Sequence, residues 1–504
     1  MRVLLLFSLA ILGCLPAAAA VPPAAAPDAG YEETIPERWS ALGVASAPFP
    51  VIPGLRRVRS LAAAGTAAIA LDIEGASVAL TPTAAGALPA LWQWRQPQPP
   101  PLQRSLAAGA GSCAASIAGA EGIGSVLVTP DHGVQHVCCE GATEAAAGAP
   151  RCAAVATLAP AAGPLAGGIS ACAAATTGPP EQGVTAAIVV YVIVADGSVW
   201  TANNGTLVPV LLPDLVGNTT TAWNTSMRAN ALAVAPGGGA VAVATRDKLY
   251  TRAALDAPFY WEWASIGDSV EDCAGAAVTY SPTALLFTGA STLYIGHAYG
   301  VQRMDLRSGA LTALRGLPCK NVTSLAGLSA APDTLFVGTT KGMARISAGA
   351  VRYFFLSRWL PGEAVVAMAA LPTRITCNGT MLPPAVAVAT DVGIAVLTPQ
   401  CWTLSRKARY FQSVATRHNR YGYAAAAVLP NANNFTNIQL IDDDNDGTEL
   451  SVYAASQIFR RAAGTPSESD GVSKVIKNST GALAFLQVSV AHLHFWLPTS
   501  DIVI

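Results

Sequence analysis

One arrangement of apolar and polar positions recurs along the chain. A short apolar run leads into a small or polar tight turn, and a second apolar run follows. Seven stretches read this way: "ALDIEGASVAL" (70–80), "VLVTPDHGVQHV" (126–137), "YVIVADGSVW" (191–200), "VAVATRDKLY" (241–250), "TLYIGHAYGVQRM" (292–304), "TLFVGTTKGMARI" (334–346) and "AVAVATDVGIAVL" (385–397). Each predicts a β-hairpin. The turns are anchored at positions 75, 133, 197, 248, 300, 342 and 393, and all but the fourth, Lys248, end on Gly. Hairpins repeating at about 50 residues are what the blades of a β-propeller show. One blade cannot bury both of its faces, so blades stack around an axis until the last meets the first. Small side chains are needed where the wedge narrows, and "AVAVAT" and "VAVAT" supply them. A β-sandwich or a β-helix is the competing reading. The expected fold is therefore mainly β, a propeller of about seven blades with a short C-terminal helical appendix.

Two of the later units carry a more specific signature. "GLPCKNVTSLAGLSAAPDTLFVGTTKGMARI" (316–346) and "WLPGEAVVAMAAL" (359–371) with "VAVATDVGIAVL" resemble the repeat of two-component-regulator propellers. In that repeat a Leu-Pro loop precedes one strand and a Gly-Thr turn makes the next hairpin. The likeness covers roughly 285–397 and thins before 230. It implies an extracytoplasmic sensing propeller, often for glycan fragments. The chain shows no kinase half, so the resemblance implies a ligand-binding or scaffold module.

After 397 the hairpin pattern stops. Leu404, Ala408, Phe411 and Val414 have helical spacing, as do Leu450, Tyr453, Ile458 and Phe459, and 479–495 predicts a third helix. "RHNRYGY" and "DDDNDGTELSVYAASQIFRRA" are similar to a helical domain that follows such propellers in some secreted proteins, an α/α-toroid. Two departures stand out: Thr448-Glu449 replaces an aromatic residue, and too few helices remain for a toroid. The segment is expected to be its truncated start.

The N-terminus changes the picture of where the chain works. Arg2, the apolar "VLLLFSLAILGCL" and "AAAA" at 17–20 form a signal peptide cleaved near Ala20. The expected organisation is 1–20 signal peptide, 21–45 Ala/Pro-rich linker, 46–400 propeller and 401–504 helical segment. Asn204, Asn218, Asn224, Asn321, Asn378, Asn434 and Asn478 open N-x-S/T triplets, seven of the fourteen Asn, which points to a glycosylated protein of a eukaryotic secretory pathway. Nine Cys remain after cleavage, and an oxidising compartment would pair most of them. Cys377 with Cys401 and Cys273 with Cys319 are the expected pairs; Cys113, Cys138, Cys139, Cys152 and Cys172 form the remaining cluster. Charged residues are 12% and the formal net charge is −1, which leaves no electrostatic footprint for nucleic acid or an anionic membrane.

Candidate chemistry is sparse. Asp442, Asp444 and Asp446 with Gly447 match the start of a Ca²⁺ loop, but Tyr453 stands where the bidentate Glu belongs. A solvated helix start is the expected reading, and no cofactor is expected. Arg417, His418 and Arg420 are candidates for holding a polar ligand. Trp261 and Trp263 are candidates for stacking on a sugar. His132, His136 and Cys138 would share a strand face, but thiols outside the cell form disulfides more often than zinc sites. No nucleophile-elbow, zincin or Walker motif appears. The expected function is non-catalytic binding of an extracellular glycan or protein, with no membrane contact after signal cleavage. The alternative is a glycan-processing hydrolase or lyase whose helical catalytic domain is cut short.

Overall fold

A computed structural model describes residues 31–41, 51–52, 58–64, 67–72, 77–80, 113–118, 125–130, 133–140, 151–159, 163–177, 187–203, 206–213, 220–222, 228–245, 248–252, 260–262, 282–298, 300–314, 317, 321–355, 359–372, 375–407, 412, 419–420, 423–424, 427–428, 439–440 and 451–458. Its strands form seven antiparallel meanders. Blade 1 is Val58–Ala64, Ala67–Asp72 and Ser77–Leu80; blade 2 is Cys113–Ala118, Ser125–Thr129, Gly133–Glu140 and Arg151–Ala159. Blade 3 is Ile169–Thr177, Ala187–Val194, Val199–Asn203 and Thr206–Pro209. Blade 4 is Ala229–Val234, Val241–Thr245, Leu249–Arg252 and Tyr260–Glu262. Blade 5 is Pro282–Phe287, Thr292–His297, Gly300–Asp305 and Leu311–Ala313. Blade 6 is Val322–Leu328, Ala331–Thr339, Gly342–Ser347 and Ala350–Phe354. Blade 7 takes Val365–Leu371, Ala385–Thr390 and Gly393–Trp402 from the end of the repeat.

The first strand of each blade contacts the first strand of the next, and blade 7 returns to blade 1. The ring is closed. Each of the seven turns expected from sequence joins the second strand of a blade to the third, so all seven lie on one face.

The fourth strand of blade 7 comes from the other end of the chain, and the two-residue strand Val51–Ile52 pairs with its end. Tyr31–Ala41 runs antiparallel to Gly393–Trp402, from Tyr31 opposite Trp402 to Ser40 opposite Gly393. These residues fall in the stretch expected as an Ala/Pro-rich linker; they are a closing strand. Its polar composition hides it, because a strand at the rim of a blade buries little.

Burial explains the Ala-rich inner strands. In Ala385–Thr390 the alternation is one of size rather than polarity. Val386 and Val388 pack toward blade 6, while Ala385, Ala387 and Ala389 pack toward blade 1. In blade 4, Val241 and Val243 face blade 3, and Ala242 and Ala244 face blade 5. Both faces of such strands are buried, so each presents a large and a small side to its two neighbours. Where blades approach most closely even Ala is too large. A Cβ on Gly296 would lie 2.6 Å from Val322 Cγ1 in the next blade.

Beyond the ring the helical expectation from Leu404 is met at the residues described. The strand of blade 7 continues to Trp402, and residues 404–407 and 412 follow as helix, with Leu404 66% exposed; Ala408, Phe411 and Val414 lie outside the described residues. Short paired strands lie at Asn419–Arg420 and Tyr423–Ala424, and at Ala427–Val428 and Gln439–Leu440. The helix expected around Tyr453 is present at 451–458. It buries Tyr453, Ala454 and Gln457 and leaves Ile458 exposed. Residues 479–495 lie outside the described residues.

Candidate binding mouth on the propeller axis

The innermost strands share an irregularity. In six blades the second residue is an insertion in the ladder with the neighbouring strand, a β-bulge. The inserted residues are Arg59, Ser170, Asn230, Thr283, Thr323 and Val366. Equivalent places in successive blades put them in a ring around the axis, on the face that carries the seven turns. Ser170, Asn230, Thr283 and Val366 are exposed, while Arg59 and Thr323 are half-buried. Ser170 Oγ donates to Val194 O at 3.3 Å, and Thr283 Oγ1 is 2.5 Å from Val322 O in the next blade. Thr323 Oγ1 has no hydrogen-bond partner among the described residues. Arg59 Nη2 donates to Ile169 O, so its guanidinium spans the start of blade 2.

Deeper on the same axis is a cavity of about 220 Å³. All seven innermost strands line it, through residues such as Leu61, Phe287, Leu325 and Met368. It begins two residues beyond the bulges, roughly 7 Å down each strand. Its side chains are mostly apolar, but its walls are strand edges. An innermost strand pairs outward only, so its inward N–H and C=O groups are open. The exception is a short parallel pairing of blades 2 and 3, Ile117 with Ala174 and Ala118 with Ala175. Cys113 and Cys172 bridge the same two strands, with Cα atoms 6.1 Å apart. Ser60 Oγ accepts from Ala114 N at 3.3 Å and Ser116 Oγ accepts from Ala63 N at 2.8 Å, which stitches blade 1 to blade 2.

The turns around the mouth are fixed by a repeated threonine. Thr339 Oγ1 donates to Gly342 O at 2.8 Å and accepts from Lys341 N at 3.1 Å. Thr390 does the same with Gly393, and Thr245 with Lys248. In blade 5 the position is His297, 4% exposed, and burial pushes its imidazole below the usual range. A Thr three residues before the turn anchor is visible in the sequence at 245, 339 and 390. The bulge ring left no sequence signal, because its members share a position and not a residue type.

The sequence-predicted site residues fare unevenly. Cys377 and Cys401 are bridged, with Cα atoms 5.1 Å apart. Cys273 and Cys319 lie outside the described residues, as do Arg417, His418, Trp263, Asp442, Asp444 and Asp446. Trp261 is in the outermost strand of blade 4, away from the innermost strands that frame the mouth, and Arg420 is in a short strand that pairs with Tyr423–Ala424. Asn321 and Asn378 are exposed, Asn321 on the mouth face and Asn378 at a hairpin tip between the first two strands of blade 7. The other Asn triplets lie outside the described residues. Among the described residues no cluster of His, Cys, Asp and Glu could hold a metal, and no helix is long and apolar enough to cross a membrane.

No family model and no curated protein matches the chain, so the likeness to two-component-regulator repeats rests on its motifs alone. Solved structures of similar shape include the COPII outer coat vertex on membranes, at 10% identity and a TM-score of 0.41, over 73% of this chain and 85% of that one. Chaetomium thermophilum Sqt1 bound to the N-terminus of ribosomal protein L10 matches at 14% identity and 0.37, over 66% and 82%. The β-propeller domain of Myceliophteria thermophila Cps50 (Swd1) matches at 10% and 0.40, over 68% and 96%. At these scores the strand order itself carries the assignment: the chain is a seven-bladed β-propeller closed by its own N-terminal strand.

Proposed function

We propose that the chain is a secreted, N-glycosylated binding module that holds an extracellular glycan at its axial mouth without catalysis. One observation carries this reading. A ring in which four of six side chains, Ser170, Asn230, Thr283 and Thr323, are short and polar stands over a cavity whose walls are open backbone edges. Such a place offers many single hydrogen-bond donors and acceptors around apolar patches, which suits a ligand of hydroxyls and C–H faces. The disulfides Cys113–Cys172 and Cys377–Cys401, the exposed Asn321 and Asn378, and the apolar N-terminal run support an extracellular setting. The disulfide-stapled ring makes the mouth rigid, which lowers the ordering cost of binding.

The test is a glycan array probed with the mature full-length chain from a eukaryotic host. Retention of a defined glycan class, lost when Asn230 and Thr323 are both replaced by Val, is the expected result. A chain that retains no glycan, or whose retention ignores those two residues, would overturn the reading. The same preparation should gain mobility on a gel after enzymatic removal of N-glycans.

A further inference from the structure

We propose that the mouth selects a glycan carrying an oxyanion, a carboxylate or a sulfate ester, and that Arg59 is the residue that reads the charge. This rests on the glycan reading above and names the class of glycan.

Arg59 is the one charged member of the bulge ring. It is half-buried, and among the described residues it meets no carboxylate. Its recorded partner is a neutral carbonyl, Ile169 O. Other guanidiniums in the molecule are engaged differently. Arg345 and Arg352 pair with Glu32, Arg406 lies over Trp402, and Arg252 lies over Tyr191. Taking a cation partly out of water without a counter-ion costs free energy. An anion bound at the mouth would offset that cost. A guanidinium has five N–H donors in a planar fork, and the bond to Ile169 uses one of them. The remaining donors match two oxygens of a carboxylate or sulfate.

The surroundings favour the same sign. Ser170, Asn230, Thr283, Thr323 and Val366 are neutral, so the ring holds no carboxylate to compete. Among the described residues, Asp72 ends the second strand of blade 1 opposite Val58, while Asp196 and Glu363 sit out in the turns. Asp196 accepts from Ser198 N at 2.8 Å, and Glu363 pairs with Lys341 at 2.7 Å. Arg228, two residues before Asn230, is exposed, with its backbone and the base of its side chain against the turn at Gly197. The sequence also places Arg56 and Arg57 just ahead of the strand that carries Arg59. The hydroxyls and amide around the guanidinium then address the sugar hydroxyls next to the acidic group.

The experiment titrates the mature full chain with glucose, D-glucuronate and glucose 6-sulfate, followed by ligand-observed NMR. At least one of the two acidic sugars should bind about tenfold more tightly than glucose, the gain of a charge-assisted pair over a neutral one. Which of the two wins identifies the oxyanion. Arg59→Gln should bring that sugar to the level of glucose, and Arg59→Lys should keep part of the gain. Equal affinity for all three sugars in the wild type overturns the inference without any variant and leaves the glycan reading standing. Binding of none of them, with Arg59-dependent binding of a tetra-aspartate peptide instead, overturns both.

Discussion

Glu32 and Arg345 lie 313 residues apart in sequence and meet as a two-point ion pair, Nη1 to Oε1 at 2.6 Å and Nη2 to Oε2 at 3.0 Å. Glu32 is on the closing strand and Arg345 on the third strand of blade 6. Arg352, from the outermost strand of blade 6, adds a contact to Glu32 Oε1 at 3.2 Å. The pair therefore ties the strand that closes blade 7 to the blade beside it. Arg345 is 7% exposed, so removing Glu32 strands a buried cation. Glu32→Gln should cost about 3 kcal/mol, the lower end of the range for breaking a buried pair, because Glu32 keeps some water. Replacing both partners by Met should recover most of the loss. The denaturation midpoints of the single and double variants measure this, and equal losses in both would show that the charge pair is not what matters.

The closing ladder has a second fastening. Glu32 stands opposite Cys401, which is bridged to Cys377 beneath it in the same blade. The bridge closes a loop of 24 residues. On chain-entropy grounds its removal should cost about 3.4 kcal/mol. Cys377→Ala with Cys401→Ala should therefore lower the thermal midpoint. It should also raise proteolysis near Tyr31–Ala41, since an unlatched closing strand exposes the edge of Gly393–Trp402. An unchanged midpoint would mean that the bridge is incidental to closure.

The sequence revealed what repeats and concealed what does not. The seven turns were legible because Gly and alternation are local, and they came out on one face. Cys377 with Cys401 was legible because the two are close in the chain. Tyr31–Ala41 was not. Its "YEETIPERWSA" is polar and contains Pro36, features that suit a strand at the rim of a blade but also suit a linker. Its partner lies more than 350 residues away, Ser40 opposite Gly393 and Tyr31 opposite Trp402, and only ring closure brings them together. The axial mouth was illegible for a related reason. Arg59, Ser170, Asn230, Thr283, Thr323 and Val366 share a backbone insertion, and backbone geometry leaves no common residue type. The helix from Leu404 was legible in its spacing, although Leu404 itself is exposed.

His297 gives the fold a dependence on pH. It takes the place that Thr245, Thr339 and Thr390 fill in other blades, and burial lowers its pKa. In the unfolded chain it takes up a proton near its ordinary value of about 6.5, whereas in the fold it resists until lower pH. Below that value the unfolded state binds more protons, so stability falls as pH drops. Carboxylates such as Asp305, held below the usual range by backbone N–H groups of Ser308 and Arg307, add acid sensitivity at lower pH still. The comparison that isolates His297 is His297→Thr. Between pH 7.5 and 5.5 the variant should lose less thermal stability than the wild type. Parallel melting curves across that range would rule His297 out as the cause.

Gly338 tests whether the ring tolerates any widening between blades. It lies in the second strand of blade 6, and its position faces the first strand of blade 7. An added Cβ would come 2.5 Å from Ser324 Oγ, 2.6 Å from Val365 Cγ1 and 3.2 Å from Met368 Cε. Ser324 can rotate away, but Val365 is β-branched and buried, so the strand must move. In an open sheet that movement would be local. In a closed ring, blade 7 cannot retreat from blade 6 without crowding blade 1, where Ala387 and Ala389 already pack against Leu61 and Ala63. Gly338→Ala should therefore destabilise by about 1–3 kcal/mol, the usual cost of overpacking. Gly239→Ala is the control. It sits in a turn of blade 4 with nothing within 4 Å of the new Cβ, and should be neutral or gain up to about 1 kcal/mol from the stiffer unfolded chain. Val365→Ala removes the atom in the way and should be less harmful combined with Gly338→Ala than alone. A double-mutant cycle in denaturant measures that coupling, and strictly additive losses would show that the two blades do not press on each other at this point.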